Sequence, residues 1–85
     1  MTEAKDVFEV RVTKETLGEG SESGSIILWM YPEGARVQRG DVIAEFLVDK
    51  ITLEIQAPAT GVLRIKVPAE LAVADGALLA LIESY

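Results

Sequence analysis

Neither histidine nor cysteine occurs among the 85 residues. That removes the usual Cys/His zinc sites, Ser–His and Cys–His nucleophile pairs, and any disulfide. Reactive atoms remain on carboxylates, hydroxyls and four lysines: Lys5, Lys14, Lys50 and Lys66. Lys50 has the most informative neighbours. The stretch Glu45 to Ile55 reads as a β-hairpin turning at Asp49-Lys50. With a two-residue turn there, Val48 faces Ile51, Phe46 faces Leu53 and Ala44 faces Ile55, so six apolar side chains share one face. Glu45, Leu47, Thr52 and Glu54 take the other. A slip of one residue would mix apolar and charged side chains on each face, so the pattern itself fixes the register. Lys50 then sits at the tip with its amine outward and its direction fixed, as a site of covalent acylation requires. The plainer reading is a solvated turn, the ordinary place for a lysine. The remainder of the chain decides between the two.

The flanking segments supply strands. Val7 to Val12 alternates, with Phe8, Val10 and Val12 on one face. Leu17-Gly18-Glu19-Gly20-Ser21-Glu22-Ser23-Gly24 is a polar loop. Its glycines could cradle a phosphate, but no Lys-Ser/Thr and no helical pattern follow, and its acidic residues repel an anion. Ser25 to Tyr31 is rich in β-formers, and Trp29 there reads as a core or edge residue rather than a stacking platform. Pro32-Glu33-Gly34 and residues 37–41 are turns. Residues 42–48 and 51–56 form the hairpin arms, Ala57 to Gly61 breaks the chain, and Val62 to Val67 alternates again. Ala77 to Ile82 is the last strand. Ala, Glu and Leu between Ala69 and Ile82 favour a helix, but Asp75-Gly76 interrupts it. The expected core is Phe8, Val10, Ile26, Val37, Phe46, Val48, Leu53, Ile55, Val62 or Leu63, Ile65, Val73, Leu79 and Ile82.

Composition narrows the function classes. A hydrophobic fraction of 49% supports one small core, and 14 acidic against 8 basic residues give a net charge of −6. Such a balance argues against a nucleic-acid surface. The first residues carry neither a signal core nor an Arg-rich transit pattern. The longest apolar run, Ile26 to Tyr31, is too short for a bilayer. These features predict a soluble domain spanning residues 1–85 with a flexible tail at 1–5, no membrane or nucleic-acid partner, and a cytoplasmic location (the mitochondrial matrix in a eukaryote).

The chain also repeats. Gly24 matches Gly61, Ile26 matches Leu63 and Glu33 matches Glu70, each 37 residues apart. One deletion later the spacing is 36, and Val37 matches Val73, Gly40 matches Gly76, Val42 matches Leu78, Ile43 matches Leu79, Ala44 matches Ala80 and Phe46 matches Ile82. Two copies are too few for a solenoid. They predict two similar halves about a pseudo-twofold, packed as an all-β sandwich or flattened barrel. The counterpart of the Asp49-Lys50 turn is the gap between the chain ends, so tip and termini should lie at opposite ends.

Several segments now combine. Leu17-Gly18-Glu19-Gly20, Gly24-Ser25-Ile26 with Trp29, Glu33-Gly34 with Val37 and Gly40-Asp41, Asp49-Lys50, and Ala57-Pro58 with Gly61 follow in order. Together they resemble the biotinyl/lipoyl carrier domain family, and most closely the lipoyl domain of 2-oxo acid dehydrogenase acyltransferases. The resemblance covers Val7 to Ile82. It implies two four-stranded sheets and a domain that catalyses nothing itself. It also implies lipoate on Lys50 as a swinging arm carrying acyl groups and electrons, with Asp49, Ile51, Val48, Glu45 and Glu54 read by the modifying enzyme and other partners. Those partners would be a lipoate ligase or lipoyl/octanoyl transferase, and the dehydrogenase, acyltransferase and dihydrolipoamide dehydrogenase components. An amine ordinarily protonated up to pH ~10 needs its activation from the ligase, since no histidine base is present. Two positions depart from the family: Ile51 stands where alanine is usual, and Leu47 where an acidic residue is frequent. Biotin carriers flank their lysine with methionine, so Asp49 favours lipoate. A biotin carboxyl carrier domain and an unmodified binding module of the same fold remain the alternatives.

Overall fold

The computed structural model describes residues 6–18 and 23–84. Their elements run β1 (Val7–Arg11), α1 (Lys14–Leu17), β2 (Ser23–Trp29), β3 (Arg36–Val37), β4 (Val42–Val48), β5 (Ile51–Gln56), β6 (Gly61–Ile65), β7 (Ala72–Ala74) and β8 (Leu78–Glu83). Among the described residues α1 is the only helix, a single turn. Thr13 caps it by accepting a bond from Thr16 N at 3.2 Å, and Gly18 ends it at φ 76°. The expected tail 1–5 and the Glu19-Gly20 part of the early loop lie outside the described residues.

Two antiparallel four-stranded sheets face each other, in the orders β1-β8-β6-β3 and β5-β4-β2-β7. The arrangement is a sandwich and not a closed barrel. Replacing β5, β4, β2 and β7 by β1, β8, β6 and β3 converts one order into the other, so the pseudo-twofold is built into the topology. Pairings repeat with it. Val37 opposes Gly61 as Val73 opposes Gly24, and Ile26 opposes Phe46 as Leu63 opposes Ile82. The glycines serve close approach. A Cβ on Gly24 would lie 2.6 Å from both the Leu47 carbonyl oxygen and the Phe46 ring, and one on Gly61 would collide with the Glu83 carbonyl.

The register also locates the one-residue difference between the halves. Ile27 has no partner on β4: Ile26 opposes Phe46 and Leu28 opposes Glu45. It is a β-bulge, and β6 has no counterpart to it. From there the spacing is already 36, because Met30 N bonds Ile43 O at 2.8 Å as Lys66 N bonds Leu79 O at 2.9 Å. The expected match of Glu33 with Glu70 is therefore corrected. Glu70 N donates to Ile26 O as Gly34 N donates to Leu63 O, and both residues are left-handed, at φ 72° and 84°. Glu70 is the counterpart of Gly34.

Of the expected core, Val10, Ile26, Val37, Phe46, Val48, Leu63, Val73, Leu79 and Ile82 are buried, and Leu53, Ile55 and Ile65 pack half-buried against them. Phe8 is not: it keeps 39% exposure. It opposes buried Ile82, but from β1, an outermost strand with no neighbour on its far side. Ile43 with Ala44 and Leu79 with Ala80 are consecutive buried pairs. A register irregularity at Ile43 and at Leu79 turns both members inward, which strict alternation cannot foresee. Leu17 and Val12 complete the core from the β1–α1 segment.

Candidate functional site

The hairpin register is the one its pattern predicts: Val48 opposes Ile51, Leu47 opposes Thr52, Phe46 opposes Leu53, Glu45 opposes Glu54 and Ala44 opposes Ile55. Asp49 and Lys50 form the turn and both are exposed. Asp49 has φ 55°, one of two left-handed non-glycine residues among those described. Aspartate tolerates that conformation better than most side chains, which gives its place before Lys50 a conformational reason. Phe46 and Val48 anchor the hairpin in the core, so the tip is the end of an anchored element and not a loose loop.

Val48, Asp49, Lys50 and Ile51 are together at the tip. Val48 is buried, but Ile51, expected to share its face, is 63% exposed. It opens the edge strand β5 at the tip, with no strand on its far side. Thr16, Leu17 and Gly18 of the α1 turn line one side of a shallow groove, with Val48, Ile51 and Leu53 on the other. Glu45 and Glu54 are not at the tip. They form a cross-strand pair on the outward face of the hairpin arms, four residues back on each strand, or about 13 Å at ~3.3 Å per residue. The other described lysines are placed differently. Lys14 begins the α1 turn, and Lys66 follows the end of β6, exposed. Lys5 lies outside the described residues.

The two outward faces differ in charge. All three basic residues in strands, Arg11, Arg36 and Arg64, belong to the β1-β8-β6-β3 sheet. There Arg11 pairs with Glu9 at 2.9 Å, and Arg64 reaches Glu83 at 3.0 Å and Glu33 at 3.3 Å. Glu33 also accepts Ile65 N at 2.5 Å, and that bond, with Arg64 adding to it, holds its carboxyl below the usual carboxylate range. Arg11 lowers Glu9 in the same way, and Glu83 first, then Glu33, raise Arg64. The only charged residues in the strands of the other sheet are Glu45 and Glu54. Composition gave no hint of this segregation. It becomes visible only when each strand is assigned to its sheet, and the bulge at Ile27 was legible solely as the change from 37 to 36 in the repeat.

A family model described as "Biotin-requiring enzyme", the biotin/lipoyl family, matches residues 10–82. The chain belongs to the biotin/lipoyl family. Curated relatives include the dihydrolipoyllysine-residue acetyltransferase component of the pyruvate dehydrogenase complex of Rhizobium meliloti (strain 1021). It is 41% identical over 61 residues, 71% of this chain and 14% of that protein. The same component from Staphylococcus aureus is 37% identical over 54 residues, 64% of this chain and 12% of the relative. The pyruvate dehydrogenase E1 component subunit beta of Rhizobium meliloti is 38% identical over 52 residues, 61% and 11% respectively. The chain thus matches about a seventh of the length of its first relative. Among the described residues no helix is long and apolar enough to cross a membrane, and no group of three or more acidic side chains is placed to hold a metal.

Proposed function

We propose that residues 1–85 form a single non-catalytic carrier domain acylated by lipoate on the Lys50 amine. The observation that carries this reading is an exposed lysine at a two-residue tip, on a hairpin whose register the core fixes, in a member of the biotin/lipoyl family. The tip fits such a group: Lys50 is exposed, and Val48, two residues before it, is buried in the core. Attached there, the dithiolane supplies acyl and electron carriage; the chain supplies a handle, a fixed direction and a surface for partners. Lipoate is favoured over biotin by Asp49, where a biotin carrier has methionine, and by the dihydrolipoyllysine component names of its relatives. The partners are a lipoate ligase or lipoyl/octanoyl transferase and the dehydrogenase, acyltransferase and dihydrolipoamide dehydrogenase components of a 2-oxo acid dehydrogenase complex in the cytoplasm.

The test incubates the domain with ATP, a ligase and either lipoate or biotin, followed by intact mass and peptide mapping. One lipoyl addition on Lys50 is expected, and none in Lys50→Arg, which keeps charge and fold but has no acylatable amine. Label on another lysine of Lys50→Arg at the wild-type rate overturns the assignment, and biotinylation without lipoylation replaces lipoate with biotin.

A further inference from the structure

The bulge at Ile27 changes what the hairpin sheet shows to solvent. Ile26 points inward and is fully buried, and Trp29, which opposes buried Ala44, packs against the core. Two residues lie between them, and both face outward: Ile27 is 39% exposed and Leu28 50%. Leu28 stands opposite Glu45, which stands opposite Glu54. The outward face of β2, β4 and β5 is thus an apolar pair beside two carboxylates. Neither carboxylate has an ion-pair partner among the described residues, and no lysine or arginine lies in any strand of this sheet. Like charges directly opposite on adjacent strands destabilise a sheet, so folding alone does not account for the pair.

The pseudo-twofold provides an internal comparison. The counterparts of Leu28, Glu45 and Glu54 are Arg64, Leu81 and Glu9, since Arg64 opposes Leu81 and Leu81 opposes Glu9. β6 has no counterpart to the Ile27 bulge, and the strand carboxylates of that half, Glu9 and Glu83, are paired with Arg11 and Arg64. Among the described residues the other sheet also exposes apolar side chains, Val7 and Phe8 on its edge strand, but both of its strand carboxylates have arginine partners.

We propose that this face, Ile27 and Leu28 with Glu45 and Glu54, is where the enzyme that modifies Lys50 docks, through an apolar patch bordered by its own basic residues. The inference rests on the carrier reading above. Charge complementarity selects a basic partner and opposes a second copy of this chain, which would set Glu45 and Glu54 against themselves. The amine of Lys50 is chemically identical to those of the other lysines, so the enzyme needs a landmark held rigidly to the tip. β4 and β5 run directly into the turn, and the face begins about 13 Å from it. Opposite charge at such a surface mainly raises the encounter rate and excludes wrong partners.

The experiment measures kcat/KM for lipoyl transfer to Lys50 by a lipoate ligase, at several ionic strengths, for wild type, the double variant Glu45→Gln/Glu54→Gln, Leu28→Ser and the control Glu9→Gln. Removing the Glu45–Glu54 repulsion does not unfold the domain, and urea titration verifies this for every variant. The double variant should lose about tenfold in kcat/KM, chiefly in KM, and most of its salt dependence. Leu28→Ser should lose several-fold without altering salt dependence, and Glu9→Gln should match wild type. Wild-type values in the double variant and in Leu28→Ser overturn the docking face while leaving Lys50 modification intact. If those variants, once lipoylated, are instead slow to be loaded by a dehydrogenase component, the face belongs to that enzyme. A dimer lost in Leu28→Ser would assign it to a second copy; either result also overturns the proposal. A folded wild-type domain that no ligase modifies removes the carrier reading itself.

Discussion

Gly24→Ala offers the sharpest test of how the sandwich is closed. The new Cβ would sit 2.6 Å from the Leu47 carbonyl oxygen, and 2.6 and 2.8 Å from Cε2 and Cζ of Phe46. Phe46 is fully buried, so its ring cannot swing clear without displacing neighbours. Overpacking costs about 1–3 kcal/mol, and approach to both main chain and an immobile ring puts this case at the upper end. The lower chain entropy of alanine in the unfolded state offsets about 0.4–1 kcal/mol. The net expectation is a loss of about 2 kcal/mol. Phe46→Leu should itself cost roughly 1–2 kcal/mol, below the range for full truncation of a buried phenylalanine. It also removes the ring atoms that Gly24→Ala meets. The double variant should therefore be about 1 kcal/mol more stable than the sum of the singles predicts. The opposite half supplies the control. A Cβ on Gly61 meets the Glu83 main chain and Cγ2 of Ile82, an atom that Ile82→Val retains, so that pair should be additive within about 0.5 kcal/mol. Urea titrations with unchanged m-values measure all of these. Additivity at Gly24/Phe46, or a Gly24→Ala loss below about 0.5 kcal/mol, would refute the close approach.

Three further outcomes are expected. Asp49→Val should be about 1–2 kcal/mol less stable than Asp49→Gly, because a β-branched residue is forced to φ 55°; equal thermal midpoints for the two variants would contradict the left-handed turn. Glu33 has its folded pKa held below the ordinary 4.5, so it favours the fold above that pH and the gain is lost as pH falls through the lower folded value. Glu33→Gln should accordingly flatten the acid limb of a urea-midpoint-against-pH curve, and an unchanged limb would show that its bonds to Ile65 and Arg64 do not persist in solution. Phe46→Ala should cost roughly 3–5 kcal/mol, a large part of the ~4–13 kcal/mol typical of a domain this size; a near-native denaturation curve would mean the hairpin register is wrong.

Where side-chain alternation is strict, the fold could be read directly. Ala44 to Ile55 yields the turn, the register and the outward lysine because the pairing there runs without a break. The repeat adds the twofold, since Gly24/Gly61 and Gly40/Gly76 mark equivalent approaches and turns. Reading fails where the period breaks. Ile43-Ala44 and Leu79-Ala80 turn inward in pairs, and Ile27-Leu28 turn outward in a pair, each at a register irregularity set by hydrogen bonding between strands. β3 and β7, at two and three residues, are too short to show any period. Phe8 and Ile51 were assigned inward by parity, yet parity does not say whether anything lies opposite, and both sit on edge strands. For the hairpin tip, the turn and the exposure of Lys50 were legible, but the segregation of charge between the two faces needed the sheet assignment.

The counterpart of the Lys50 turn is where the start of β1 meets the end of β8. Ser84 N donates to Asp6 O at 2.9 Å, and Asp6 N donates to the Ser84 hydroxyl at 3.1 Å. Carried across the twofold, Ser84 and Asp6 stand where Val48 and Ile51 stand, so a two-residue bridge is the geometric requirement for sealing that end. A chain opened by excising Asp49 and Lys50, with Ser84 joined to Asp6 through Asp-Lys, would keep every strand neighbour and move the acylatable amine to the other pole of the molecule. Such a permuted domain would present its lysine above the face neutralised by arginines, separating in one molecule what the hairpin tip contributes from what the sheet beneath it contributes.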